Sequence, residues 1–210
     1  MPETPRRIRV LTVDDHPVLR DGVAAIIQMQ DDMELVGEAA DGAQGVDSFR
    51  RLRPDVTLMD LQMPVLSGLD AIRQIRSEAP SARIVVLTTY AGDVQAVRAL
   101  KAGAAGFLLK AGLRKELLDA IRAAHAGRRH VPSAVAAEIA EHAGDDQLSD
   151  REVSVLTHVA IGEANKEIAR ALGLAEDTVK AHLKSIFAKL GVSDRTHAVT
   201  IAARRGFIVL

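Results

Sequence analysis

Over the first 130 positions, apolar residues fall into five short runs separated by segments with helical spacing. The runs at 8–13 (IRVLTV), 34–39, 56–59 (VTLM), 84–87 (IVVL) and 106–109 (GFLL) are brief and rich in β-branched residues, so they read as buried strands. Between them the apolar spacing shifts to three and four residues. It predicts helices over 17–29, 43–52, 68–77, 93–102 and 113–126. In the first of these Val18, Val23, Ile26 and Ile27 are the apolar positions. Pro17 suits a first helical turn, where its missing N–H costs little, and Gly103 and Gly127 stand where helices should stop. Five strands alternating with five helices predict a doubly wound α/β domain around a parallel sheet. Right-handed crossovers then send every strand's carboxyl end to one edge. That edge collects Asp14, Asp15, Asp60, Thr88 and Lys110.

After Gly127 the pattern changes. GRRHVPSAVAAEIAEHAGDDQ reads as a linker over 128–147, with a short Ala-rich helix that Ser133 can cap. From 148 to 210 the periodicity is helical throughout. Ser149 and Glu152 have capping-box spacing, Val153, Val155, Leu156 and Val159 form an apolar side, and Gly162 ends that helix. A short helix follows over 165–172, then Gly173, a longer helix over 176–190 ended by Gly191, and a last helix begun by Ser193 or Asp194. A short helix, a tight glycine turn and a longer helix make a helix-turn-helix. The longer helix keeps Val179, Leu183, Ile186 and Leu190 at apolar spacing and is expected to turn Lys180, His182, Lys184 and Lys189 outward.

Composition narrows the possibilities. The formal net charge of −1 on 210 residues excludes a nucleic-acid binder that works by bulk positive charge but permits a small reading head. There is no cysteine, which excludes disulfides, thiolate metal sites and cysteine nucleophiles and agrees with a reducing cytoplasm. Only 2% of residues are aromatic, too few for a surface built on base stacking. MPETPRRIRV lacks the apolar core of a signal peptide, and no apolar run is long enough to span a bilayer. A cytoplasmic protein with no membrane partner is the expectation.

Three carboxylates without His or Cys among the strand-end groups suit a hard cation, most simply Mg²⁺. Such a metal beside Asp60 would neutralise a phosphoryl group transferring to that carboxylate. Lys110 would pair with a phosphate oxygen, and without phosphate it should salt-bridge to the acidic cluster. An Mg²⁺-dependent phosphatase using Asp60 as nucleophile is the rival from another class. Many such enzymes carry a second carboxylate two residues on, where this chain has Gln62.

VDDHPVLRDG, LMDLQMPVLSG, VVLTTY and KAGAAGFLLK together resemble a bacterial response-regulator receiver domain over residues 1–127. The resemblance implies that Asp60 is the phosphoacceptor. It also implies that Asp15 and Asp60 hold Mg²⁺ directly with Asp14 assisting, and that the backbone carbonyl of Gln62 is a further ligand. Thr88 and Phe107 match the family's switch pair, although Phe107 is equally accounted for as strand core. Tyr90 and Gln62 fall where the family tunes dephosphorylation. Ala111 stands where many receivers carry proline, so the cis peptide common in that loop is not expected.

LSDREVSVLTHVAIGEANKEIARALGLAEDTVKAHLKSIFAKLGVSDRTHAV resembles the LuxR-type four-helix DNA-binding domain, and the two halves together resemble the NarL/FixJ response regulators. By this similarity Lys180, Ala181 and Lys184 face base edges, while Asn165, Lys166, Thr178 and His182 lie near the phosphate backbone. Ala181 can contact only a thymine methyl. Ala175 stands where relatives usually have serine, leaving the recognition helix without a side-chain cap unless Asp177 or water substitutes. The implied activity is not enzymatic. The resemblance implies that a sensor histidine kinase would phosphorylate Asp60 and that the protein would then form a homodimer on double-stranded promoter DNA, through the last helix where this family commonly dimerises.

Overall fold

The computed structural model describes residues 6–89, 93–131 and 148–208, together with Ser133, Ala136 and Ala137. The chain separates into two compact units, one carrying the sheet and the other the C-terminal helices.

In the first unit the strands are β1 (Ile8–Val13), β2 (Met33–Ala39), β3 (Val56–Asp60), β4 (Ile84–Thr88) and β5 (Gly106–Leu109). They form one parallel sheet in the order β2-β1-β3-β4-β5. The helices are α1 (Pro17–Gln28), α2 (Gly42–Leu52), α3 (Gly68–Glu78), α4 (Asp93–Lys101) and α5 (Leu113–His125). The side chains of α4 are described from Val97 onward. Because successive strand residues point to opposite faces, β1 to β5 divide their apolar residues between two layers. Val10, Leu58, Val85, Leu87 and Leu108 pack with Val23 and Ile27 of α1 and with Leu117 and Ile121 of α5. On the other helices, Val46 and Phe49 of α2 and Ile72 and Ile75 of α3 are buried. Val18, in the first turn of α1, departs from the expected pattern: it is 84% exposed.

The order reverses direction between β1 and β3, which opens the crevice where sheets of this kind carry their sites. The loop leaving β3 is shaped around that crevice. Leu66 N–H donates to Pro64 O at 2.8 Å, a tight turn about Val65, whose φ of 67° is unusual for a β-branched residue. Gly68 opens α3 against β3 so closely that a Cβ there would lie 1.8 Å from Asp60 O. Lys110–Gly112 form a short 3₁₀ turn after β5, and no cis peptide occurs among the described residues.

Past α5 the chain returns to β5. Phe107 N–H donates to His130 O at 2.7 Å, and Gly106 and His130 form a single parallel bridge.

The second unit contains α6 (Asp150–Ala160), α7 (Asn165–Leu172), α8 (Glu176–Leu190) and α9 (Arg195–Arg204). Val155, Leu156, Ile168, Val179, Leu183, Ile186, Ala198 and Ala202 form its core, closed by Phe207 and Ile208. Gly173 (φ 64°) and Gly191 (φ 66°) end α7 and α8 in the left-handed region that glycine tolerates. The linker helix expected from Ser133 lies largely outside the described residues, as does Tyr90.

Gly68→Ala should cost about 1–3 kcal/mol, since the added methyl must displace backbone. Gly22→Ala, inside α1 with open space around it, should instead stabilise by about 0.5–1 kcal/mol. Urea midpoints of the two variants should therefore move in opposite directions.

Candidate functional site

The five strand-end groups expected from the sequence share one rim. β1 ends at Val13, so Asp14 and Asp15 begin the loop to α1, while Asp60 is the last residue of the neighbouring β3. Thr88 ends β4 and is buried. Lys110 follows β5, and its ammonium reaches back across β4. Nζ stands 2.8 Å from Asp60 Oδ2 and 2.8 Å from Asp14 Oδ2. The contact to Asp60 is a hydrogen bond, while that to Asp14 Oδ2 is an ion contact without hydrogen-bond alignment.

Asp14 and Asp60 are almost wholly shielded from solvent, and Asp15 is part exposed. Burial pushes the Asp60 carboxyl above its ordinary range; Lys110 opposes this and the Asp14 charge adds to it. Burial would lower Lys110, but its close contacts with the Asp14 and Asp60 carboxylates outweigh it and hold the ammonium charged. The backbone fixes the rim as well. Asp14 N–H donates to Ala39 O at 3.0 Å, Arg20 Nη1 donates to Asp14 O at 2.6 Å, and Gln62 N–H donates to Asp60 Oδ1 at 3.3 Å. Phe107, in β5 opposite Val86, is fully buried.

One ligand atom from each of Asp14, Asp15, His16 and Asp60 lies within 4.8 Å of the others. Oxygen donors dominate, and Asp15 Oδ1 is shielded yet accepts no hydrogen bond, so the residues present fit a hard divalent cation. His16 was not anticipated as a member of this group. Its position directly after Asp14-Asp15 on the rim loop is the one signal the sequence offers.

In the second unit, Lys180, Ala181 and Lys184 are exposed along α8, with Thr178 and His182 partly exposed beside them. Lys166 is exposed and Asn165 part-buried at the start of α7. Ala175 starts α8 with no side-chain cap. Asp177 does not substitute: its carboxylate is drawn to Lys180 Nζ at 3.0 Å, and Glu176 lies 3.8 Å from the same ammonium.

Lys189 was expected outward, but it turns inward to Glu152 Oε2 at 2.9 Å. Glu152 is buried and also accepts from Ser185 Oγ at 2.7 Å and from Ser149 N–H at 2.7 Å, completing the capping box. Burial alone would raise this carboxyl, but Lys189, Ser185 and Ser149 together hold it down at about 2. One buried acid thus fastens α6 to α8.

Comparison with known proteins agrees with both halves. Residues 10–122 match the response regulator receiver domain, and residues 146–202 match the luxR family of bacterial regulatory proteins. The chain is also 41% identical to the transcriptional regulatory protein LiaR of Bacillus subtilis, over 96% of this chain and 99% of that one. It belongs to the response regulators that join a receiver to a LuxR-type DNA-binding domain. Another such response regulator, VraR of Staphylococcus aureus, is 35% identical with 96% and 99% covered. Among solved response regulators, RcsB from Salmonella enterica serovar Typhimurium, bound to a promoter in the presence of a phosphomimetic, aligns with TM-score 0.70 at 28% identity. That alignment covers 95% of this chain and 99% of the other. ChrA, from a heme-sensing two-component system, aligns with TM-score 0.57 at 36% identity over 96% and 99%. The receiver's acidic pocket is where this family binds Mg²⁺, and no helix among the described residues of this response regulator is long and apolar enough to cross a membrane.

The Glu152 network sets a pH dependence for the second unit. Its folded carboxyl sits below the ordinary 4.5, so the stabilisation is complete above about pH 4.5 and is lost as pH falls through about 2. The difference corresponds to about 3 kcal/mol. Glu152→Gln should destabilise the C-terminal helices by about 2 kcal/mol at pH 7, and the gap from wild type should narrow on acidification through this range. Urea melts followed through the amide signals of α6 and α8 would read both.

Proposed function

We propose that this response regulator accepts a phosphoryl group on Asp60 from a sensor histidine kinase and, once phosphorylated, binds promoter DNA as a homodimer. The observation that carries the reading is the Lys110 ammonium seated 2.8 Å from both Asp60 and Asp14 at the switch point of the sheet. An Asp60 oxygen attacks phosphorus, the P–N bond to the kinase histidine breaks, and the imidazole leaves with the bonding pair. Mg²⁺ would be held by Asp15 and Asp60, with Asp14 and the Gln62 carbonyl assisting. Bound there, it would supply charge neutralisation for the transferring group and would favour the ionised nucleophile that burial disfavours.

Phosphorylation gives Asp60 roughly two negative charges. Lys110 then gains a phosphate oxygen as partner in place of a carboxylate, and Thr88 offers its hydroxyl from the end of β4. Phe107, one strand over, follows as the second member of the switch pair. In this reading residues 1–127 are the receiver, 128–147 the linker and 148–210 the DNA-binding domain. The protein works in the cytoplasm as a regulator rather than an enzyme. Gln62 supports that last point, because it lacks the carboxylate a turnover phosphatase would use there.

For DNA, Lys180 and Lys184 are the base-reading candidates, with Ala181 against a thymine methyl and Asn165, Lys166, Thr178 and His182 toward phosphates. Lys180 must first exchange Asp177 and Glu176 for its DNA partner. Those contacts are exposed, so the exchange costs little.

With Mg²⁺ and acetyl phosphate, the intact mass should rise by one phosphate, and Asp60→Asn should abolish the gain. A variant that still takes label would place the phosphoacceptor elsewhere. On DNA, Lys184→Ala should weaken specific binding by about 1–3 kcal/mol and relax preference at one base position. Lys166→Ala should weaken binding to all sequences alike and flatten its salt dependence, as phosphate contacts do. Titrations at two salt concentrations separate the two behaviours.

A further inference from the structure

We propose that His16 Nδ1 is a nitrogen ligand to the divalent cation held by Asp14, Asp15 and Asp60, and that it biases this pocket toward Mn²⁺ and later first-row ions relative to Mg²⁺. The inference rests on the cation-binding receiver reading above and adds a ligand to it.

His16 occupies the N-cap of α1, yet its side chain makes no capping hydrogen bond. Its backbone N–H donates to Asp14 Oδ1 at 2.9 Å, which fixes the residue beside the acidic pair. Nδ1 stands 2.7 Å from Asp15 Oδ1 and 3.2 Å from Asp14 Oδ1. Adjacent ligands of an octahedral ion with bonds near 2.1 Å lie about 3.0 Å apart. The two separations bracket that edge length, and Asp60 completes a group spanning no more than 4.8 Å.

The contact to Asp15 is not an ordinary hydrogen bond. Asp15 Oδ1 is shielded from solvent and has no aligned donor, although Nδ1 is only 2.7 Å away. With its proton on Nδ1 the ring can donate to Asp14 Oδ1. With the proton on Nε2 the Nδ1 lone pair joins the carboxylate oxygens in one cluster. Two-thirds of the side chain is exposed, so water can satisfy Nε2–H.

The consequence is one of ligand softness. Mg²⁺ takes hard oxygen donors and gains little from imidazole, whereas imidazole suits the later first-row divalent ions. A pocket of three carboxylates and one imidazole is therefore less selective for Mg²⁺ than three carboxylates alone.

The test is Mn²⁺ binding to the full-length protein, followed by electron paramagnetic resonance, with electron spin echo modulation of the bound ion. Wild type should show ¹⁴N modulation from one directly bound imidazole, and His16→Ala should lose it. His16→Ala should also weaken Mn²⁺ binding roughly tenfold, while Mg²⁺, measured by competition, changes about twofold or less. His16→Asn keeps a good cap for α1 and should lose the modulation too, which separates loss of a ligand from loss of fold. Mn²⁺ that needs Asp15 and Asp60 but shows no ¹⁴N modulation overturns the role of His16 alone. Mn²⁺ binding that survives Asp15→Asn combined with Asp60→Asn, or no binding at all, overturns the cation pocket itself and the His16 ligand with it.

Discussion

The ammonium of Lys110 is what allows this sheet to end as it does. Asp14 and Asp60 are shielded from water on adjacent strands, and two such carboxylates would repel each other unless one stayed protonated. A single cation between them, 2.8 Å from each, removes that conflict. The strand order makes this possible. β1 and β3 are neighbours, so their terminal acids converge, and β5 lies close enough for a long side chain to reach over β4. The arrangement is stable but not self-sufficient, because burying ions costs several kcal/mol each before their attraction repays it. Any phosphoryl group on Asp60 competes for the same ammonium. Under the proposed function, the contact that closes this pocket is the one a phosphoryl group on Asp60 would rearrange.

The loop beyond Asp60 is held by close backbone approach as well as by side chains. Gly68 lies under the Asp60 carbonyl, and Gly42 at the start of α2 lies against Leu66 O, where a Cβ would come within 2.3 Å. Gly42 N–H also donates to Leu66 O at 3.2 Å, and Gly68 N–H to Leu61 O at 3.0 Å. Between these anchors Val65 is left with positive φ and an exposed side chain, a conformation that costs of order 1–3 kcal/mol. The folded loop bears that cost because both ends are fixed. It keeps the backbone around Gln62 in one place beside the acidic pocket.

Much of this was legible in the sequence because the signals were local and agreed with one another. Strand runs ended on polar residues that the parallel topology brings to one edge, glycines stood at helix ends, and Ser149 with Glu152 spelled out a cap that forms as expected. Asp194, one of two candidates, caps α9 by accepting from His197 N–H at 2.8 Å. What was not legible depends on partners distant in sequence. Val18 fits a helical stripe, yet in the first turn of α1 it is left exposed. Lys189 carries the charge of a DNA-facing residue, yet the buried Glu152, 37 positions earlier, claims it. The close approach that makes Gly68 obligatory is likewise set by a strand, not by the helix it begins.

The edge of β5 shows how a local perturbation at the pocket can leave the sheet. β5 has four residues, and its outer side would expose unpaired backbone groups. His130 covers part of that edge: its carbonyl takes the Phe107 N–H, and its own N–H approaches Ala105 O at 3.4 Å. The same strand runs on into Lys110, three residues past Phe107. Its two ends of interest are therefore the cation that closes the acidic pocket and the backbone bond that begins the linker. A rearrangement of Lys110 that pulled on Phe107 would be transmitted to His130 through one backbone hydrogen bond, with no long chain of side chains needed between them.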